Sequence, residues 1–264
     1  CMTYDTSYCP CYYSLPLRPQ SLLSTLSSCT THFRSCIGVE ALIRWIDQEV
    51  GFIPPSDFIH IAEKCGLIFP IGEWVLKTAC DQAVAWQNAG FAPIKMGVNI
   101  SSKQFGLPEL PDIVEKVLDE SGLEAKYLEL EITESSLISE MENVRSNLKK
   151  FKKLGVSVSI DDFGTGYSSL NYLKTLPIDT LKIDRTFIND ISQRGKGNAI
   201  VKAIIELANS LGLNTVAEGV ETELQVKILQ EHGCNELQSY FFSKPIPAEQ
   251  IPQFIVDHSP KTDK

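Results

Sequence analysis

At 264 residues, with 43% hydrophobic and 22% charged side chains, the chain has ordinary globular composition and enough apolar material for one sizeable core. A formal charge of -9 excludes a broad surface for large nucleic acids, which needs a basic footprint, although bound cations can reverse the field around an anionic phosphate ligand. No apolar run is long enough to span a bilayer, and the start lacks the basic-then-apolar pattern of a signal peptide.

Residues 1–36 differ from the rest. They contain no Gly, Ala, Val, Lys or Glu, they are dense in Ser, Thr and Cys, and Asp5 is their only acid. A disordered leader, an unrelated linker and a stretch read out of frame are three readings of such text. Pro10, Pro16 and Pro19 sit near its apolar runs, and proline removes ladder donors, so the segment is expected to pack irregularly. Cys9-Pro10-Cys11 is too close-set for zinc and has no second pair to match. Cys65, Cys80 and Cys234 lie scattered without metal spacing and read as plain thiols.

From Ile37 onward, strands alternate with amphipathic helices. Strand-like runs are 37–43, 94–100, 127–132, 156–160, 180–183, 214–217 and 236–242. Ser56 is positioned to cap a helix ending near Gly66, the next helix spans 71–90, and another spans 198–210 before Gly212. Seven βα repeats at this length predict an α/β fold, a TIM-like (β/α)8 barrel. Its eighth strand would have to come from the anomalous first segment. The domain reading is 1–36 atypical, 37–258 barrel and 259–264 tail.

In such barrels the chemistry sits at the C-terminal ends of the strands. The strands deliver there, in order, Glu40 and Arg44; Asn99; Glu131 and Glu134; Asp161 and Asp162; Lys182 and Asp184; Glu218 and Glu221; and Gln238. Each has a dull explanation alone: Glu40 or Glu131 paired with a neighbouring base, Asn99 capping the turn at Ser101, Lys182 snorkelling to solvent, Glu218 exposed on a loop. Together they converge too regularly for those explanations. Asp161 and Asp162 are adjacent acids, which repel unless a cation separates the charge. Acids with one Asn and one Lys, and no His, describe a site for hard cations such as Mg²⁺ or Mn²⁺. His32, His60, His232 and His258 all fall away from the strand ends. Two such cations suit in-line attack of water on a phosphodiester, with Lys182 orienting the water or neutralising developing charge.

The strings Glu40-Ala41-Leu42-Ile43-Arg44-Trp45, Asn99-Ile100-Ser101, Glu131-Ile132-Thr133-Glu134-Ser135, Asp161-Asp162-Phe163-Gly164-Thr165-Gly166, Leu181-Lys182-Ile183-Asp184 and Ala217-Glu218-Gly219-Val220-Glu221 occur in that order. From about Ile37 to Ile255 the chain resembles the EAL domain family, bacterial phosphodiesterases that open cyclic di-GMP to linear pGpG. The resemblance implies that Glu40, Asn99, Glu131 and Asp161 hold one metal, Asp161 bridging to a second that Asp162 helps bind. It implies Lys182 and Glu218 as the catalytic pair. Leu42, Arg44, Asp184, Glu221 and Gln238 would line the substrate pocket. Glu134 and the loop with Phe163, Gly164 and Gly166 resemble a regulatory loop coupling the metals to dimerisation.

Two departures stand out. The family's usual first strand has no match near Leu26-Ser27-Ser28, so a gap is expected between the Glu40 and Gln238 strands. Ser239 stands where the family usually has Gly, which adds strain if φ is positive. The expected protein is a cyclic di-GMP phosphodiesterase, a homodimer needing two Mg²⁺ or Mn²⁺. It would follow sensor or diguanylate-cyclase domains and work in the cytoplasm or at the cytoplasmic side of the inner membrane. The rival readings are a receptor that binds cyclic di-GMP without cleaving it, and a non-functional chain whose unclosed barrel exposes strand edges.

Overall fold

The computed structural model describes residues 24–30 (backbone alone), 36–137, 141–166, 173–192, 195–238 and 244–257. The expectations for residues 1–23, for Ser239 and for the tail lie outside these. In chain order the strands are β1 (Ser24–Thr30), β2 (Cys36–Leu42), β3 (Trp45–Asp47), β4 (Gly51–Ile53), β5 (Lys95–Asn99), β6 (Leu128–Thr133), β7 (Ser157–Phe163), β8 (Thr180–Ile183), β9 (Asn214–Glu218), β10 (Glu236–Gln238) and β11 (Ile246–Pro247). Around them lie α1 (Pro55–Cys65), α2 (Ile68–Asn88), α3 (Ser102–Phe105), α4 (Leu110–Ser121), α5 (Met141–Leu154), α6 (Arg185–Asn189), α7 (Lys196–Ser210), α8 (Glu223–Glu231) and α9 (Ile251–Asp257).

The sheet is a ring. Parallel pairs run β2–β5–β6–β7–β8–β9–β10, and β1 joins the two ends, antiparallel to β2 on one side and to β10 on the other. Ser28 pairs with both Gly38 and Gln238, and β11 adds to the first residues of β1. The expected gap is therefore not there: a seven-residue strand fills it. The physical reason is that ladder pairing is made by backbone amides, and β2 and β10 each present an open edge to whatever chain lies between them. Pro10, Pro16 and Pro19 all precede Ser24, so none removes a donor from the paired stretch.

Strands β2 and β5 to β9 fall within a few residues of expectation; β10 covers the described part of the expected 236–242 run, and β3, β4 and β11 were not expected. Ser56 does not cap α1. The cap position is Pro54, with Pro55 opening the helix where a missing N–H costs nothing, and Ser56 lies inside the first turn. Gly66 ends that helix in the left-handed conformation, φ 75°.

Side chains alternate across each strand with period two, and here the usual barrel arrangement is reversed. Val39, Met96, Val98, Leu128, Leu130, Ile132, Val158, Ile160, Leu181, Ile183 and Ala217 belong to the buried apolar core that also contains helix residues such as Leu76, Phe151 and Ile205. The barrel interior holds polar and charged groups instead. A narrow void of about 30 Å³ is lined by Glu40, Lys95, Glu129, Glu131, Lys182, Glu236 and Gln238 among others. At its lower end Lys95 Nζ lies 3.0 Å from Glu129 Oε2. Burial pushes the nearby Glu236 carboxyl up to about 7; Lys95 offsets this in part and Glu129 adds to it.

Candidate active site

At the C-terminal end of the ring the charged side chains gather on one lysine. Lys182 Nζ, on β8, is 2.6 Å from Glu131 Oε2, 2.7 Å from Glu218 Oε1 and 3.5 Å from Asp161 Oδ1. Lys182 is buried, so the snorkelling explanation fails. Burial alone would lower its pKa, but Glu131, Glu40, Glu218 and Asp161 outweigh that and hold the ammonium well above its ordinary value. Burial raises Glu131 well above the carboxylate range, with Lys182 pulling the other way and Glu40 and Asp161 adding to the rise. Burial likewise brings Glu218 up to about 7, against the pull of Lys182.

Glu40 is fixed from two sides, accepting from Asn99 Nδ2 at 2.6 Å and from Gln238 Nε2 at 2.6 Å. Asn99 thus engages Glu40. The turn that follows is capped by Ser101, whose side chain and that of Gln104 form a reciprocal capping box on α3.

Adjacent strand residues normally point to opposite faces. Asp162 escapes that rule: its φ is 53°, the only positive value among described non-glycine residues, and the β7–β8 register shifts between Ile160 and Phe163. Asp161, Asp162 and Glu218 consequently offer oxygens within 4.8 Å of one another. Burial, then the charges of Asp161 and Asp184, raises the Asp162 carboxyl. Burial works against Asp184 too, but hydrogen bonds from Thr186, and then one with Asp162, hold it below the usual range. The two neighbouring carboxyls are thus pushed in opposite directions, Asp162 up and Asp184 down.

That donor set suits divalent cations. Glu40, Glu131, Asp161, Asp162 and Glu218 bring five carboxyls to a place where Lys182 is the neighbouring cation, and all are oxygen donors of the kind Mg²⁺ and Mn²⁺ prefer.

The loop after Asp162 is held from below. Glu134 is buried, and its Oε2 accepts from the backbone N–H of Gly164 at 2.8 Å and of Gly166 at 3.3 Å. Gly164 has φ 98°, and an added Cβ would stand 2.6 Å from the Phe187 ring, so this position needs glycine twice over. Phe163 is buried, and it adjoins a shallow apolar groove of about 550 Å³ with Ala199, Ile200, Ala203, Ile204 and Leu207 of α7.

The residues expected to meet substrate are placed less tightly. Leu42 and Arg44 are half-buried at the end of β2, with Arg44 Nη1 donating to Ile43 O at 2.9 Å. Asp184 caps α6. Glu221 is exposed, and its loop is fixed by Gln225 Oε1, which accepts from the N–H groups of Glu221 at 2.7 Å and Thr222 at 3.0 Å. The sequence reading missed Gln104 and Gln225, side chains that steady two site loops, and the interior ions Lys95, Glu129 and Glu236. Strict alternation in Leu128-Glu129-Leu130-Glu131 was the available signal, since it puts Glu129 on the same face as Glu131.

Comparison with known proteins gives a consistent picture. The family model described as "EAL domain" matches residues 30–245. The chain is 48% identical over 215 residues to the bifunctional diguanylate cyclase/cyclic di-GMP phosphodiesterase MucR of Pseudomonas aeruginosa, covering 81% of this chain and 31% of that protein. It is 42% identical over 217 residues to the cyclic di-GMP phosphodiesterase NbdA of the same organism, covering 82% of this chain and 28% of that protein. A solved structure of the PaMucR phosphodiesterase in complex with c-di-GMP superposes with a TM-score of 0.84 at 45% identity, covering 89% of this chain and 95% of that one. The chain thus spans about a third of the length of these two relatives.

Proposed function

The chain belongs to the EAL domain family, and from that premise we propose that it is a metal-dependent phosphodiesterase opening cyclic di-GMP to pGpG. The observation that carries this is the convergence of five carboxyls and Lys182 at one end of the ring. Glu40, Asn99, Glu131 and Asp161 would hold one Mg²⁺ or Mn²⁺, and Asp161 with Asp162 a second. Such cations, when bound, neutralise phosphate charge and make water acidic enough to attack at neutral pH.

The chain's own groups supply the rest. Lys182 is held charged by its neighbours and stabilises negative charge on the phosphoryl oxygens. Glu218, with its carboxyl near 7, takes the proton from the attacking water. Leu42, Arg44, Asp184, Glu221 and Gln238 orient the dinucleotide. Glu134 fixes the loop bearing Phe163, Gly164 and Gly166, and a second copy docks over the adjoining apolar groove to make a homodimer. The longer relatives support upstream sensor or cyclase domains in the full protein, which would work in the cytoplasm or on the inner face of the membrane.

The test is incubation of purified protein with cyclic di-GMP and Mn²⁺ or Mg²⁺, followed by chromatography. pGpG should form, and chelator should abolish it. Tight binding of cyclic di-GMP with no pGpG under either metal would replace the enzyme with a receptor; chelator-insensitive turnover would remove the metals from the scheme.

A further inference from the structure

Two loops that carry site residues meet through their hydroxyl groups. Thr133 closes β6, two residues after Glu131, and stands in register with Asp161 on β7. The 3-10 turn Glu134–Leu137 follows. Thr133 Oγ1 lies 3.0 Å from Ser135 Oγ and 2.8 Å from Ser136 Oγ, and Ser136 Oγ lies 2.7 Å from Ser102 Oγ. Ser102 opens α3, three residues beyond Asn99. Ser136, in the middle, is only 1% exposed, so bulk water does not compete for these bonds.

The hydroxyl chain joins a fixed element to a working one. A hydroxyl gives one proton and accepts two, so each of the four can serve its neighbours in a single direction along the chain. On one side α3 is anchored. Ser101 and Gln104 form its capping box, and a Cβ added at Gly72 of α2 would overlap the Gln104 amide, so the two helices meet closely there. On the other side the turn faces two further ways. Leu137 enters the apolar core, and Glu134 accepts from the Gly164 and Gly166 amides of the loop after Asp162. Ser136 and Glu134 belong to one tight turn, so a shift of one carries the other.

We propose that Ser136 is a positioning residue: its hydroxyl ties the turn bearing Glu134 to α3, and so sets where the segment from Asp161 to Gly166 stands. The consequence for turnover rests on the phosphodiesterase reading above; the tie itself does not, and the two are tested apart.

The first measurement needs no metal and no substrate. In the full chain with chelator, amide hydrogen exchange of Gly164 and Gly166 is followed by NMR for wild type, Ser136→Ala and Ser102→Ala. Both variants should exchange these amides about two- to tenfold faster, the worth of one hydrogen bond, with Leu130 in the core of β6 unchanged. The double variant should be no faster than Ser136→Ala, because both substitutions break the same tie. The second measurement is Mn²⁺ binding, read from the loss of the free-ion EPR signal. Affinity should fall by a similar factor in both variants. Turnover of cyclic di-GMP should fall at limiting Mn²⁺ and recover at saturating Mn²⁺, with KM unchanged. Unaltered exchange at Gly164 and Gly166 in both variants would overturn the proposal, as would equal acceleration at Leu130 or faster exchange with unaltered Mn²⁺ affinity. Wild type that binds Mn²⁺ but yields no pGpG would remove the phosphodiesterase reading and leave the tie standing on the exchange rates.

Discussion

Lys182 Nζ sits 2.6 Å from Glu131 Oε2, with the two side chains only 2% and 5% exposed. A buried pair of this kind contributes little net stability, but breaking it strands a charge. Lys182→Met should therefore destabilise the metal-free protein by about 3–5 kcal/mol. Added Mn²⁺ should raise the melting temperature of this variant more than that of wild type, since a cation replaces the missing ammonium. Equal melting temperatures of variant and wild type in chelator would contradict the arrangement.

Glu236 gives a dependence on pH. Burial raises its folded pKa to about 7, against about 4.3 for an unfolded Glu. The folded state then holds the proton more tightly, so the stabilisation is full below the unfolded pKa and is lost as pH rises through about 7. The loss is on the order of 3 kcal/mol. Glu236→Gln should be nearly neutral at about pH 4.5 and stabilising at about pH 8.5. Thermal melts across that range decide it, and a stabilisation independent of pH would show that ionisation of Glu236 is not responsible.

Glu134→Ala would leave the Gly164 and Gly166 amides without their acceptor, at about 1–3 kcal/mol for each. That loss falls on the loop that follows Asp161 and Asp162. Weaker Mn²⁺ dependence and at least a tenfold fall in turnover are expected, with Glu134→Gln intermediate because it keeps one acceptor. Full activity in Glu134→Ala, measured over a Mn²⁺ titration, would refute the anchoring role.

Deleting residues 1–30 removes β1 and bares the edges of β2 and β10 together. Bare edges pair with one another between molecules. Light scattering should report concentration-dependent association of the truncated protein where the full chain stays unaggregated. A well-behaved, fully soluble truncation product would mean that β1 contributes nothing to closure.

Most of the barrel was legible because strands and helices carry different hydrophobic periods, and polar residues interrupt the strands at one end. Glu40, Glu131, Asp161 and Lys182 were found that way. What could not be read was anything made by the backbone. β1 carries no alternation of its own and is positioned by open edges on both sides. Ser56 looked like a cap, but Pro54-Pro55 set the helix start through backbone geometry. The turn of Asp162 into left-handed space is likewise a property of the chain path, and adjacency in sequence could only hint at it. Gln104 and Gln225 escaped because a buried glutamine looks like an exposed one until its hydrogen-bond partners are known.

The inverted polarity of the ring separates two duties that most barrels combine. Cohesion comes from the shell where strands meet helices, around Val98, Leu130, Ile160 and Leu181. The interior carries charge and little of the packing. Changes of charge around Glu131 and Lys182 therefore fall on groups outside the packed shell on which cohesion depends. Loaded and empty forms should share one backbone, and the cost of switching between them is electrostatic alone.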